Sequence, residues 1–292
     1  MSSPKSSISE SGPLAVALTC CTALVAFAAN SVLCRLALGG GAIDAASFTT
    51  VRLGSGAFTL FILYRLTAGD TRASSHGSWF AALMLFGYAV TFSFAYLSLT
   101  TATGALVLFG MVQLTMVLGA LYTGERPTIL EWAGLGIAVM GLVYLMRPGL
   151  SAPPLFGALL MGLAGIAWGA YSLRGRGSNA PLGDTAMNFV RALPFAVVVS
   201  LIWLPSAHFT TPGVLLAGAS GAVASGCGYA IWYKALRGLT ATRAAAIQLS
   251  VPLIAALGGV VFMGEILSSR LVLAAALILG GVGLNIFGRA RS

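Results

Sequence analysis

The sequence predicts an all-α integral membrane protein of ten transmembrane helices, arranged as two inverted five-helix repeats. Three observations predict it: the composition, the length of the apolar runs, and a match between the two halves. Of 292 residues, 58% are hydrophobic and only 8% are charged, whereas a soluble domain carries roughly 25% charged residues. A chain so poor in charge cannot cover a water-facing surface of its own size, so its main solvent is the lipid bilayer. Glycine is abundant, at 37 residues, as it is in membrane helices. The net charge of +9 raises nucleic acid as a partner. However, the basic residues stand singly or in pairs between apolar runs rather than on one face, which argues against it.

Taken in order, the apolar segments cover about 14–38, 44–67, 78–99, 102–123, 128–147, 154–174, 183–204, 212–236, 240–263 and 268–288. Each is long enough to cross a hydrocarbon core of about 30 Å. Backbone in lipid must satisfy its own polar groups, so the segments are helices. The alternation of a membrane β-barrel is absent. Residues 1–13 are Ser-rich and polar and read as a cytoplasmic tail, with the repeats at 14–149 and 150–292. Lys5, the apolar run from Leu14 and Ala26-Phe27-Ala28 resemble a signal peptide. The run continues through Ser31-Val32-Leu33-Cys34, which suits a retained spanning helix instead. Connections are short, as at Gly39-Gly40-Gly41 and Arg147-Pro148-Gly149, and leave no room for a soluble catalytic domain. Cys20, Cys21, Cys34 and Cys227 form no metal-ligand spacing with each other or with His76 and His208. They read as small buried hydrophobes, and no metal or cofactor is expected.

Orientation follows from Lys and Arg near the helix ends. With both termini in the cytoplasm, the inside holds Lys5, Arg65, Arg72, Arg126, Arg174, Arg176, Lys234, Arg237, Arg243, Arg289 and Arg291. The outside holds Arg35, Arg147 and Arg270, and Arg52 and Arg191 fall within helices. Phe27-Ala28-Ala29-Asn30-Ser31, followed by Arg35, aligns with Trp168-Gly169-Ala170-Tyr171-Ser172, followed by Arg176. Asp44 and Arg52 align with Asp184 and Arg191, and Gly124-Glu125 aligns with Gly264-Glu265. Each Gly-Glu pair precedes a Gly-rich closing helix. An odd number of helices per copy inserts the second copy upside down, a recurring transporter architecture with its site near the midplane between repeats.

These residues resemble the drug/metabolite transporter superfamily, in its ten-helix form with two EamA domains. The similarity runs over roughly residues 14–288 and rests on Gly124-Glu125, Gly264-Glu265, the Gly-rich helices after them, and Ala29-Asn30-Ser31. Within it, the chain resembles YddG-type exporters of aromatic amino acids. The resemblance implies alternating access in the bacterial inner membrane and export of small metabolites. Small multidrug exporters of the superfamily use a glutamate in the first helix, where this chain has Asn30. That departure weakens proton antiport and favours facilitated transport.

The candidate cavity residues are the polar and aromatic interruptions of apolar faces. Asn30 and Ser31 lie mid-helix, matched by Tyr171 and Ser172 with Trp168 one turn earlier. An intramembrane Asn needs a partner, either substrate or a neighbouring helix. Gln113 and Gln248 offer amide donors and acceptors that suit a zwitterion. Pro252 is expected to break a backbone bond and free the carbonyl of Gln248. Tyr88, Phe94, Tyr229 and Trp232 come from aromatic-rich third and eighth helices and suit an amphipathic substrate. Trp79, Trp132, Trp203 and Tyr233 read as interface anchors. Arg52 and Arg191 lie about two turns inside their helices, where an unpaired charge costs at least ~2.5–3.5 kcal/mol. They are expected to act as gates or latches by pairing Arg52 with Glu265 and Arg191 with Glu125. The motif Gly165-x-x-x-Gly169 and the run Gly280-Gly281-Val282-Gly283 are expected to pack within the bundle of a monomer.

The expected activity is export of amino acids, aromatic and other neutral ones, by alternating access. Proton-coupled export of another metabolite or drug is the alternative. A channel or a membrane-embedded enzyme fits less well, because the spans hold neither His nor a buried acid on which to build chemistry.

Overall fold

The computed structural model describes residues 13–67, 77–122, 128–149, 152–175, 178–236 and 247–289. Among them the first repeat forms α1 (Pro13–Gly39), α2 (Ala45–Thr67), α3 (Trp79–Ala95), α4 (Thr101–Tyr122) and α5 (Ile129–Met146). The second forms α6 (Leu155–Gly175), α7 (Pro181–Ile202), α8 (Thr211–Leu236), α9 (Ser250–Met263) and α10 (Ser269–Arg289). Eight of these are long and apolar enough to span a membrane. The other two, α3 and α9, have 17 and 14 residues. Tight turns after α3, with Leu99 N–H donating to the Ala95 carbonyl at 3.0 Å, carry the chain onward. Part of the expected ninth segment, 240–246, lies outside the described residues.

The helix ends are set by local chemistry. Ser78 accepts from Ala81 N–H at the start of α3, and Thr210 from Gly213 N–H at the start of α8. Thr128 and Glu131 form a reciprocal capping box on α5. Gly264 closes α9 with φ +64°, a left-handed conformation that glycine adopts without a Cβ clash. That turn explains the Gly of the Gly264-Glu265 pair: it reverses the chain and sends Glu265 back toward the bundle. Large apolar side chains such as Phe58, Phe156, Val261 and Phe287 point outward. Such a surface is a liability in water and the natural outer face in lipid.

The halves interlock. α1 packs on α8 and α9, and α6 packs on α3 and α4. α2 meets α8, and α3 meets α7. The helix pairs α2–α7, α4–α9 and α5–α10 join equivalent elements. Exchanging the two repeats maps this set of contacts onto itself, as inverted repeats require. Small residues make the close approaches. Across α5–α10, a Cβ on Gly134 would lie 2.5 Å from the Gly281 carbonyl oxygen. Gly165 and Gly169 press on Met111, Val112 and Thr115 of α4, so this motif packs inside the bundle.

α8 is interrupted by a π-helical stretch, Ser220–Cys227. Here Gly221 lies against the Arg52 carbonyl and the Ser55 hydroxyl of α2, leaving no room for a side chain. Ser55 also donates to the Gly218 carbonyl at 3.2 Å. π stretches often mark functional sites, and this one lies beside the central aromatics described next.

Candidate functional site

Five helices deliver aromatic rings to the middle of the bundle. The Trp168 ring of α6 lies 4.8 Å from Tyr88 of α3, 5.4 Å from Tyr171 one turn along, and 5.7 Å from Tyr229 of α8. Phe27 of α1 meets Tyr229 at 5.7 Å, and Phe189 of α7 meets it at 6.1 Å. The sequence alignment that sets Phe27 on Trp168 also sets Tyr88 on Tyr229. The pairs Phe27–Tyr229 and Trp168–Tyr88 are therefore the same contact made once by each half. Aromatic residues contribute area with little flexibility, and their offset and edge-on contacts hold their orientations.

Arg52 lies at one wall of this cluster. It is 3% exposed and roughly 10 Å along α2, at 1.5 Å per residue. Its Nη2 donates to the Tyr88 hydroxyl at 3.0 Å. Its guanidinium carbon lies 5.2 Å from the Tyr88 ring centre and 4.9 Å from that of Phe92. Its Nη1 is buried and has no hydrogen-bond partner among the described residues. Across the cluster, Thr185 of α7 links the hydroxyls of Tyr171, at 3.3 Å, and Tyr233, at 2.7 Å.

Tyr88, Trp168, Tyr171 and Tyr229, all candidates from the sequence, thus lie together. Tyr233 joins them through its 6.0 Å contact with Tyr229 rather than standing as an interface anchor. Phe27, Phe189 and Thr185 were not singled out by the sequence reading. The repeat alignment of Phe27 with Trp168 is the signal that points to the first of them. Trp232 packs edge-on to Phe27 at 5.8 Å, among Cys20, Ala23 and Leu24 of α1.

The other candidate residues have partners of their own. Asn30 accepts from Ser220 at 2.8 Å and Ser225 at 3.3 Å, so its carbonyl ties α1 to the π stretch of α8. Ser31 is buried beside it on α1. Gln113 donates to Asn285 of α10 at 2.8 Å. The face of α4 that meets α6 carries Met111, Val112 and Thr115, and Gln113 points off that face. Phe94, two residues past Phe92 and so on the far side of α3, packs on Trp203 at 5.1 Å. Gln248 is half-buried just ahead of α9. Pro252 is the third residue of α9, not its interior. Ile247 and Gln248 ahead of it are helical as well, and the run is interrupted at Leu249, where the missing Pro252 N–H leaves the Gln248 carbonyl without its usual helical donor.

The expected Arg52–Glu265 pair is absent. Glu265 follows α9 and lies at the bundle end, while Arg52 sits a turn or more inside. Both Glu265 oxygens accept from Thr101 N–H, at 2.8 and 2.9 Å, and the Thr101 hydroxyl donates at 3.1 Å. A carboxylate there caps the positive end of α4. Its ion-pair partner is Arg35 of α1, at 3.8 Å, which also donates to the Tyr96 carbonyl at 2.9 Å. Helices from both repeats are thereby tied at the end of the bundle away from the termini. For the Arg191–Glu125 pair, Glu125 lies outside the described residues. The Arg191 guanidinium lies over the Trp79 ring, 5.8 Å from its centre.

The aligned acids Asp44 and Asp184 do the same job at opposite ends. Asp44 accepts from Ala46 and Ser47 N–H at the start of α2 and from His208 N–H ahead of α8. Burial pushes its carboxyl up, but hydrogen bonds from Ser47, His208 and Ala46 outweigh this and hold it below the usual Asp value. Asp184, in the first turn of α7, accepts from Gly77 N–H ahead of α3 at 3.0 Å and from Ser178.

The chain matches the EamA-like transporter family twice, over residues 14–147 and 155–287. An uncharacterized protein of Pseudomonas aeruginosa is 50% identical over 262 residues, 90% of this chain and 91% of that one. A Salmonella typhimurium protein named "Probable amino-acid metabolite efflux pump" is 25% identical over 240 residues, 70% of this chain and 77% of its own. A solved crystal structure with 21% identity shares the fold, with a TM-score of 0.64 over 90% of this chain and 95% of that one. With a family match in each half and ten helices related by repeat exchange, this chain belongs to the EamA-like transporter family: it is a multi-pass membrane transporter of small molecules, not an enzyme.

Proposed function

We propose that the protein exports neutral amino acids, aromatic ones among them, across the bacterial inner membrane by alternating access, with both termini in the cytoplasm. The observation that carries this reading is the aromatic cluster around Trp168, to which α1, α3, α6, α7 and α8 all contribute. Rings drawn from both repeats at their interface are what a carrier needs if its halves are to grip one substrate and then part. Ring faces and tyrosine hydroxyls suit a molecule with an apolar body and a polar end. The name carried by the Salmonella typhimurium relative points the same way.

The described acidic side chains, Asp44, Glu131, Asp184 and Glu265, all lie at helix ends. With no mid-span carboxylate among the described residues to carry a proton, transport down the substrate gradient is the simpler mechanism. The test is uptake by proteoliposomes over a panel of labelled amino acids. Saturable uptake with trans-stimulation is expected for neutral and aromatic members. Uptake without trans-stimulation would mean a channel, and strong acceleration by a pH gradient would mean proton coupling. Uptake of none of the panel would end the amino-acid reading.

A further inference from the structure

We propose that Arg52 is the anchor for a substrate carboxylate, so that the protein selects small molecules bearing an apolar body and a carboxylate end. The inference deepens the amino-acid reading above and rests on it for the identity of the rest of the molecule. Arginine keeps its charge at any physiological pH, and here it is held inside a membrane span. Among the described residues no acid lies within ion-pair distance of it, Glu265 being paired with Arg35 instead. Nη2 is occupied by the Tyr88 hydroxyl, while Nη1 is buried without a partner. The rings of Tyr88 and Phe92 offset part of the charge through their π faces but give Nη1 no acceptor.

An orphaned cationic donor in such a place is costly, and the group that best relieves it is a carboxylate. Two parallel N–H bonds from one guanidinium fit two carboxylate oxygens. Tyr88 adds specificity. Its oxygen accepts from Arg52, which leaves its own O–H to donate to the same carboxylate. Beyond Tyr88 the wall continues with Trp168 and Tyr229, where the apolar body lies. The Tyr88–Trp168 pair joins α3 to α6, one helix from each repeat. Separation of the halves opens the path to the guanidinium, and their closure seals it.

The experiment uses purified full-length protein in proteoliposomes with three probes: phenylalanine, phenylalaninamide and 3-phenylpropionate. The wild type is expected to take up phenylalanine and to discriminate against the amide by about tenfold to hundredfold, the loss associated with hydrogen bonds to a charged group. Arg52→Gln is expected to raise the KM for phenylalanine by about tenfold or more while leaving amide uptake near the wild-type level. Arg52→Lys retains part of the preference, and Tyr88→Phe weakens it less than Arg52→Gln does. Equal uptake of acid and amide by the wild type would overturn the proposal and leave the amino-acid reading standing. Uptake of 3-phenylpropionate but not phenylalanine would do the reverse. Equal loss of acid and amide uptake in a monodisperse Arg52→Gln, with no recovery in Arg52→Lys, would reduce Arg52 to a packing role. If Arg52→Gln does not fold, the wild-type discrimination and the Arg52→Lys and Tyr88→Phe variants decide.

Discussion

Arg52 and Arg191 occupy the same position in the two repeats and lead different lives. Arg52 is buried between Tyr88 and Phe92, at the wall of the aromatic cluster. The repeat counterparts of those rings are Tyr229 and Tyr233. Arg191 lies over Trp79, and Thr185 of the same helix bonds Tyr233 and Tyr171. The aligned acids behave oppositely to the arginines. Asp44 and Asp184 each stand at a helix start and accept a backbone N–H from the segment leading into a helix of its own repeat's partner, α8 or α3. The scaffold is twofold, while the two arginines sit in different surroundings. Backbone clasps tolerate exact repetition because both bundle ends need closing. A single asymmetric substrate needs only one charged anchor.

The comparison can be broken most severely at Gly221. Gly221→Val would drive a side chain into the Arg52 carbonyl and the Ser55 hydroxyl. It should destabilise the protein by about 3 kcal/mol, the upper part of the overpacking range, measured as a shift of the unfolding transition in detergent. The two arginines sharpen the contrast. Arg52→Gln should lower uptake efficiency for a carboxylate substrate about tenfold, or ~1.4 kcal/mol, whereas Arg191→Gln should leave the acid-over-amide preference intact. Equal effects of the two on that preference would mean the halves have not diverged.

Glu265→Ala removes the acceptors of Thr101 and the partner of Arg35. Its expected cost is about 1 kcal/mol, as for a lost helix cap, read in the same unfolding assay. Asp44→Asn should cost about as much near neutral pH. Because folding lowers the Asp44 pKa, its ionisation stabilises the fold above the ordinary carboxylate value of about 3.9. That contribution falls away as pH drops below that value and is gone below the folded one. The stability gap between wild type and Asp44→Asn should therefore close on acidification. The smallest effect is expected at Gln113→Leu, which removes one α4–α10 hydrogen bond worth ~0.6 kcal/mol and should not alter substrate preference.

Much of the fold was legible because lipid imposes simple lengths. Predicted segments 14–38 and 44–67 correspond to α1, Pro13–Gly39, and α2, Ala45–Thr67. The candidate site was legible only in part. Tyr88, Trp168, Tyr171 and Tyr229 stood out as rings at related positions of the two repeats. Gln113 and Phe94 looked equally suitable and face other helices. In a water-soluble helix, polarity marks which side turns inward. A membrane helix is apolar all round, so its inward face is set by the neighbour it meets and leaves little trace in its own residues.

By itself, the sequence determined the number of helices, their membrane setting and their twofold inverted plan. Run length, charge scarcity and repeat spacing are properties of the chain alone. Only the tertiary structure decided partners. It gave Glu265 to Thr101 and Arg35, Asn30 to the α8 serines, and Arg52 to Tyr88 with one nitrogen left over. Charges a few residues apart in their spans are separated by whole turns of helix. Which of them meet depends on how two interlocked repeats come to rest against each other.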